Sequence, residues 1–431
     1  MKTPNWLRRL THRRKKPNRA VPSVSYLETL PAELRTLILF SLAGVEDLRA
    51  LVLASPVFYQ QYLLDRRAVL ASALRAELGN RVFVDAYAAQ ASATRYPLGS
   101  KRGRHSVTWF LDKYLELRLR SISDDPADAA TAGNPSEDDL IRMVCFYRSV
   151  ARLLASECAA LFLRKLDPSL EVDALSVTEQ RRLLRALYRF QLFCHLFGPS
   201  PRGSPGWPKF GFSEEIQVVF FRGFPPWEIE EVHCVYTLIR EKYTSILDAI
   251  QGDVDPRDPK FADWGGPIAH PASYDLSSIN NRINIRQGTA TLGLRILQEI
   301  LGATDPAAQS ETMQKHMTRA GKTKFEQVLG FGPAWPFRRD QHGNEAERAE
   351  ARGDRMRFDR DREDGPPLPW VAMWQGKWRN VFGDQLPEAL KIRGYVFWDS
   401  KRLVRTGGKD TLMNMWWEEL ERVEMRVRRG Y

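Results

Sequence analysis

Apolar residues between positions 26 and 79 recur at the spacing of short α-helices. Leu30-Pro31 opens a segment whose apolar positions lie on one helical face, at Leu34, Leu37, Ile38 and Leu42. Glu46-Asp47 puts negative charge at the start of a second helix, where the helix dipole favours it. Ser55-Pro56 combines an N-cap residue with proline at the first helical position and begins a third helix, which Gly79 ends. We therefore predict three helices joined by short turns.

The helical spacing continues downstream, and no segment alternates as a β-strand would. Two capping boxes, Ser136-x-x-Asp139 and Ser176-x-x-Glu179, mark helix starts. The helix from Ser176 to about Phe197 is apolar on most sides, so we expect it at the centre of the fold. A long amphipathic helix begins at Pro226, and no internal repeat is present. We predict an all-α fold in which a three-helix unit precedes an irregular multi-helix domain without repeats.

Charged residues dominate the segment 338–364, which holds eight arginines and nine carboxylates. The signs nearly cancel and large apolar residues are scarce, so we expect a flexible or solvated segment. The block after it is rich in tryptophan, which predicts that it docks on the helical body. The predicted organisation is a basic disordered tail (1–20), a three-helix domain (21–95), a helical body (96–337), a charged flexible segment (338–369) and a Trp-rich block (370–431).

Composition narrows the class of protein. A length of 431 residues predicts two or three domains. No stretch approaches the roughly 18 uninterrupted apolar residues that span a bilayer, so we expect no membrane role. Four cysteines in 431 residues are too few for a disulfide scaffold, and the absence of a CxxC pair argues against a zinc ribbon and thioredoxin-type chemistry. Free thiols fit a reducing compartment, so we expect the nucleus, the cytoplasm or both.

Positive charge is concentrated in the first 20 residues. They carry eight Lys or Arg and no acid, whereas the whole chain has a net charge of +11, so the other 411 residues carry only +3. The run Arg13, Arg14, Lys15 and Lys16 has the density of a nuclear-localisation signal or a nucleic-acid-binding arm. A solvated tail without a specific partner is the alternative, whereas two prolines and few serines disfavour a mitochondrial presequence. We expect nucleic acid to bind, if at all, non-specifically and through this tail.

Two motifs that suggest ligand chemistry fail on spacing. Gly321-Lys322-Thr323 resembles the end of a phosphate-binding loop, but that motif requires glycine where His316 stands. Cys194-His195 and His233-Cys234 offer four possible zinc ligands. Adjacent helix positions diverge by about 100°, so each pair can offer only one ligand to a shared ion. We expect neither a nucleotide nor a metal at these positions, and no cofactor.

No pattern of catalytic residues stands out. The chain has no nucleophile elbow, HExxH motif or dinucleotide-binding fingerprint. Carboxylates at helix starts, such as Glu214-Glu215 and Glu230-Glu231, are interpreted as capping and surface charge. Aromatic residues between Trp207 and Trp227 have few basic neighbours, so we interpret them as core anchors rather than as stacking platforms for nucleic acid. We predict a protein without catalytic residues, and an enzymatic site formed only by the tertiary fold is the remaining alternative.

The N-terminal helices carry a family pattern. It consists of the Leu30-Pro31 opening, a first helix with Leu34 and Ile38, an acid before Leu48, and the aromatic residue Phe58. This block resembles the F-box, and residues 48–67 (LRALVLASPVFYQQYLLDRR) resemble the F-box-like variant of large filamentous-fungal families. Residues 392–403 (IRGYVFWDSKRL) are similar to a C-terminal stretch of those families. The chain departs from the pattern at residues 54–58, where many F-boxes have a Cys- and Arg-rich ending.

The resemblance implies binding to a Skp-family adaptor. It places adaptor contacts at Leu30, Pro31, Leu34, Ile38 and Leu48. It further implies a non-catalytic substrate-recognition subunit of a cullin–RING (SCF-type) ubiquitin ligase, in which the helical body binds a target protein. The apolar stripe of the first helix fits equally a purely structural helix trio with that face as its core. The hypothesis from another class is a nuclear or RNA-associated protein that acts through its basic tail.

Overall fold

The structure is a computed structural model, and it describes residues 25–96, 103–121, 133–168, 174–199, 213–221, 223–262, 270, 272–303, 305–317, 325–329, 345–383 and 386–428. These residues are mainly α-helical and include no β-strand, although Arg355 and Lys377 form an isolated β-bridge. The prediction of an all-α fold is confirmed. No helix in this part of the chain has the length and apolar composition that crossing a membrane requires. The chain divides into two compact units, Met1–Ala73 and Leu74–Tyr431.

The first unit contains α1 (Ala32–Ser41), α2 (Val45–Ala54) and α3 (Pro56–Leu64). Ser55 caps α3 as predicted, since its hydroxyl accepts a hydrogen bond from the Phe58 backbone N–H at 3.3 Å. The predicted third helix is interrupted at Asp65, and α4 (Arg66–Arg95) begins at the next residue. The prediction that Gly79 ends this helix is confirmed, because its backbone is not helical and divides α4 into two helical stretches. A φ of +70°, which glycine adopts without a steric penalty, kinks the chain there, and the helix resumes.

The core of the first unit takes side chains from α1, α2, α3 and the first residues of α4. Its buried apolar residues are Leu39, Val45, Leu48, Val52, Phe58, Tyr62, Val69, Leu70 and Ala73. Two hydrogen bonds orient α1 against this core. Gln61 of α3 donates to the Thr36 hydroxyl at 2.8 Å, and the Ser72 hydroxyl donates to the Phe40 carbonyl at 3.2 Å. These bonds connect α1 to α3 and to the start of α4.

The second unit continues α4 and adds a succession of helices. In chain order they are α5 (Arg104–Ser121), α6 (Glu137–Phe146), a π-helical turn (Tyr147–Ala151), α7 (Arg152–Leu166), α8 (Val177–Phe197), α9 (Ser213–Phe221), α10 (Pro226–Ile250), a 3₁₀ turn (Pro259–Phe261), α11 (Ile279–Ala290), α12 (Leu294–Leu301), α13 (Pro306–His316), α14 (Phe325–Leu329), α15 (Glu345–Arg352), α16 (Leu368–Met373), α17 (Glu388–Lys391), α18 (Ser400–Thr406) and α19 (Gly408–Arg428).

Helices α8 and α10 form the centre of the second unit, and both are buried along most of their length. The predicted capping box starts α8. The Ser176 hydroxyl accepts from the Glu179 N–H at 3.1 Å, and the Glu179 carboxylate accepts from the Ser176 N–H at 3.0 Å. The prediction that the helix after Ser176 is central is confirmed.

Tryptophan side chains of the C-terminal block lie in the interior of the second unit. Trp370 and Trp398 are fully buried. The ring of Trp370 meets that of Trp227 on α10 edge to face, with the centroids 6.3 Å apart. On α19, Trp416 donates its indole N–H to the Met373 carbonyl at 3.1 Å. These large rings bury much apolar area, and they pack the C-terminal helices onto α10.

The described part of the charged segment, which begins at residue 345, differs from the flexible stretch that was predicted for it, and residues 338–344 lie outside the described residues. Arg182 and Arg185 on α8 are fully buried. They donate hydrogen bonds to the backbone carbonyls of Arg362, at 3.0 Å, and Glu363, at 2.6 Å. The composition of the segment concealed this arrangement, because its acceptors are main-chain carbonyls and its donors lie about 180 residues earlier.

Candidate protein-binding surface

The first unit exposes large apolar side chains that do not contribute to its core. We define the N-terminal apolar surface as Tyr26, Leu27, Leu34, Leu37, Phe40, Leu53, Leu63 and Leu64. On α1, Leu34 is 45% exposed and Leu37 is 62% exposed. Single exposed apolar residues are ordinary, whereas a concentration of them within one small unit is typical of an interaction surface.

The apolar stripe of α1 faces solvent. Leu34 and Leu37 are three residues apart and therefore share one side of the helix. Thr36 and Leu39 are also three residues apart, on the opposite side; Thr36 accepts the hydrogen bond from Gln61, and Leu39 is 1% exposed. The inward side of α1 is thus occupied by Thr36 and Leu39, and the interpretation of the Leu34/Leu37/Ile38 face as the core of the unit is wrong for Leu34 and Leu37, whereas Ile38 is half-buried.

The predicted adaptor contacts fall into three groups. Pro31 and Leu34 are exposed, and Leu30 and Ile38 are half-buried at the edge of the same helix. Leu48 is 3% exposed and lies in the core, because it shares the inward side of α2 with Val45. The structure therefore brings Pro31 and Leu34 to the surface and leaves Leu48 to support the unit from inside.

Leu37, like Phe40, is an exposed apolar residue of α1 that was not among the predicted contacts. Its signal was present in the sequence, since it belongs to the same helical stripe as Leu34 and Ile38. On α2, Leu53 is also exposed, next to the buried Val52. Which apolar residues face out depends on how the three helices pack, and single-helix periodicity does not specify this.

The described part of the first unit has no excess of positive charge. Residues 25–73 contain four arginines and five carboxylates, so this stretch is close to neutral. Binding to a phosphate backbone depends on a clear excess of cations, which is missing here. The cationic run Arg13, Arg14, Lys15 and Lys16 lies outside the described residues.

A cluster of charged side chains lies inside the second unit. Arg185 and Arg189 of α8 meet Glu228 and Glu231 of α10 and Asp85 of α4, and all five side chains are fully buried. Arg189 approaches Glu228 at 2.8 Å and Asp85 at 3.3 Å. Arg118 of α5 adds a hydrogen bond to Glu228 at 3.0 Å. We call these six residues the interior ion network.

The interpretation of Glu230 and Glu231 as surface charge is wrong. Both are fully buried, as is Glu228. Glu231 is paired with Arg185, while Glu230 accepts the Gly383 N–H at 2.5 Å. A signal existed in the sequence: arginines at 182, 185 and 189 follow a helical face within an otherwise apolar helix, so they required buried partners.

Electrostatics lower the pKa of Glu228 and Glu230, whereas burial raises the pKa of Glu231 despite its pairing with Arg185. Burial alone would raise the pKa of Glu228, but Arg185, Arg189 and Arg118 outweigh that effect and lower the pKa below its usual range. For Glu230, burial is likewise outweighed by Lys391 and His233, and its pKa is lowered. Glu228, Glu231 and Asp85 are each paired with a buried arginine of α8. The network therefore supports the fold.

The Cys/His pairs occupy structural positions. Cys194 and Cys234 are buried, and burial raises the pKa of Cys234 well above its usual value. His233 lies 3.5 Å from Glu230, and His195 lies 2.6 Å from the Gln191 side chain. Within the described part of the chain, no three His, Cys, Asp or Glu side chains are grouped as metal ligands.

The aromatic cluster before α10 belongs to the core. Phe220, Phe221, Phe224 and Trp227 are each at most 3% exposed, and the phenylalanine rings pack edge to face. This agrees with the predicted role as core anchors. The residues at 207, 210 and 212 and the Gly321-Lys322-Thr323 motif lie outside the described residues.

Comparisons of this chain with protein-family profiles, with curated proteins and with solved structures found no match. The case for its function therefore depends on the N-terminal apolar surface.

Proposed function

We propose that this chain is a non-catalytic F-box-like protein that binds a Skp-family adaptor through the N-terminal apolar surface. In this role it is a substrate-recognition subunit of a cullin–RING (SCF-type) ubiquitin ligase, and its helical body binds the target protein. The observation that carries the proposal is the exposure of Leu34 and Leu37 on α1, directly after the exposed Pro31. This segment is the part of the chain that resembles the opening of an F-box.

The energetics favour burial of this stripe in a complex. Covering an exposed leucine side chain stabilises a complex by about 1.5–3 kcal/mol, so Leu34 and Leu37 together contribute enough to anchor an interface. Pro31 adds a rigid entry to the helix, which reduces the conformational entropy lost on binding. Leu30 and Ile38 are half-buried, and Leu48 lies in the core of the first unit.

The test is direct binding of the intact chain to a purified Skp-family adaptor, measured by isothermal titration calorimetry. The double variant Leu34→Asp/Leu37→Asp is expected to keep its circular dichroism spectrum and to bind at least roughly a hundredfold more weakly. Val404→Asp on α18 is the matched control, because Val404 is 70% exposed and lies in the second unit. It should bind the adaptor as the wild type does.

Two results would refute this function. One is the absence of adaptor binding by the wild-type chain. The other is equal binding by the wild type and the double variant, which would place any contact away from α1.

The alternative is a nuclear or RNA-associated protein that acts through the tail, favoured by its eight cations without an acid. It predicts nucleic-acid binding that is insensitive to base sequence and lost at raised salt. It also predicts that residues 21–431, whose net charge is +3, do not bind duplex or single-stranded nucleic acid at roughly physiological salt. Sequence-dependent binding of nucleic acid by residues 21–431 would contradict this alternative, because the binding would then lie outside the tail.

A further inference from the structure

A cavity of about 520 Å³ lies in the second unit, among α4, α6, α8 and α12. Its volume is within the range of small-molecule sites, roughly 300–1,000 Å³. The adaptor-binding function proposed above does not use it, because its walls are formed by residues 86–296 only. The cavity therefore calls for an explanation of its own.

Small side chains create the space. Ala86, Ala89 and Ala93 follow one face of α4, at the i, i+3 and i+7 positions, and all three line the cavity. Phe146 of α6 and Ile296 of α12 supply larger apolar wall area. An apolar body of one or two rings, or a medium-length acyl chain, finds van der Waals partners on these walls.

Two polar side chains of the cavity wall, Gln191 and His195, are held by the protein itself. Gln191 accepts the Leu294 N–H through Oε1 at 2.7 Å, which turns its amide nitrogen toward His195 Nε2 at 2.6 Å. Since the amide nitrogen donates, Nε2 accepts, and the other ring nitrogen donates to the Ala89 carbonyl at 3.1 Å. The imidazole is therefore a positioned part of the wall, with both nitrogens engaged.

The charged groups that line the cavity are cationic. Arg295 is exposed and has no hydrogen bond or ion pair with the described residues. Arg142 is half-buried and forms long ion pairs, without hydrogen bonds, with Asp138 and Asp139 of its own helix at 3.9 and 3.8 Å. None of the lining residues carries a carboxylate. Two guanidinium groups beside an apolar hollow form a complementary site for an anion with an apolar body.

We propose that this cavity binds small amphipathic carboxylates, with the carboxylate on Arg142 and Arg295 and the apolar body against the alanines of α4. Arginine matches a carboxylate in geometry as well as in charge, because its planar fork donates two parallel hydrogen bonds. Specificity for this class comes from both parts of the site. An uncharged analogue lacks the ionic hydrogen bonds to the arginines, and a small polar anion lacks the apolar contacts with the walls.

The test uses the full-length chain and two probes of equal shape, naphthoate and its uncharged amide naphthamide, in isothermal titration calorimetry. Naphthoate is expected to bind at one site, and naphthamide about tenfold or more weakly, because charge-assisted hydrogen bonds to the arginines are lost. Arg142→Gln/Arg295→Gln should weaken naphthoate by a similar factor while leaving naphthamide unchanged. Ala93→Phe, which fills the cavity with a ring, should abolish binding of both probes.

Arg49→Gln serves as the control for loss of one surface charge, since Arg49 is an exposed residue of α2 in the first unit. Its naphthoate affinity should equal that of the wild type. The proposal is overturned if naphthoate and decanoate both fail to bind at roughly millimolar concentration. It is also overturned if naphthoate and naphthamide bind equally, or if the double arginine variant binds naphthoate as tightly as the wild type does. Circular dichroism of each variant verifies that it is folded.

Discussion

Arg185 on α8 and Glu231 on α10 form a two-point ion pair in the interior of the second unit. The guanidinium donates from Nε to one carboxylate oxygen at 2.7 Å and from Nη2 to the other at 2.5 Å, and both side chains are fully buried. The remaining nitrogen, Nη1, donates to the Glu363 carbonyl at 2.6 Å. Removing charges from water costs several kcal/mol per ion, and only such complete hydrogen bonding offsets that cost.

Breaking this pair on one side should destabilise the protein strongly. Glu231→Gln removes the two-point counter-ion of Arg185 and leaves it only the more distant Glu228, at 3.4 Å, so we expect a loss of about 3–5 kcal/mol in the free energy of unfolding. Glu241→Gln is the matched control, because Glu241 is 42% exposed and pairs with Lys165 at the surface. There the loss should stay below about 1 kcal/mol. Urea titrations measure both, and equal losses would contradict a structural role for the buried pair.

Stability should depend on pH through Glu228. Its pKa is lowered in the folded state by Arg185, Arg189 and Arg118 despite burial. A carboxyl with a lowered pKa stabilises the fold above its unfolded pKa, about 4.3, and this contribution is lost as the pH falls below that value. The difference in free energy of unfolding between the wild type and Glu228→Gln should therefore narrow as the pH decreases from about 5 to 3. Urea titrations across that range provide the measurement, and a difference that widens would reverse the assigned direction.

Substitution by aspartate should strongly reduce stability at Leu48 and hardly change it at Leu34. Leu48→Asp places an unpaired charge in the core of the first unit and should cost several kcal/mol or unfold that unit. Leu34→Asp changes an exposed position, so its effect on stability should lie within about 0.5 kcal/mol. Thermal unfolding followed by circular dichroism distinguishes the two variants. A comparable drop in Tm for both would mean that the α1 stripe is buried in solution.

The basic run near the N-terminus should direct nuclear accumulation. Replacing Arg13, Arg14, Lys15 and Lys16 by alanine in a fluorescent fusion is expected to lower the nuclear fraction, because import signals depend on a dense cluster of cations. The control removes the same number of charges elsewhere in the tail, through alanine at Lys2, Arg8, Arg9 and Arg19. If both variants distribute like the wild type, nuclear targeting by this run is excluded.

Local features of this chain could be predicted from the sequence because their partners lie within one helical turn. The Ser55 cap contacts Phe58, the Ser176 cap contacts Glu179, and the Asp305 carboxylate accepts the Ala308 N–H at 2.8 Å, each three residues away. Helical periodicity likewise predicted the all-α class and the central position of α8. Helical periodicity also identified Leu34 and Leu37 as members of one apolar stripe.

Only the tertiary structure decided the direction of that stripe and the place of the buried charges. Thr36 turns inward because Gln61, 25 residues later, donates to it, and this leaves Leu34 and Leu37 outside. Glu231 is in the interior because Arg185, 46 residues earlier, matches its charge and geometry. The cavity likewise combines Ala89 of α4 with Arg295 of α12. Such contacts join residues far apart in the chain, so their energies depend on how helices pack and not on the periodicity of any one helix.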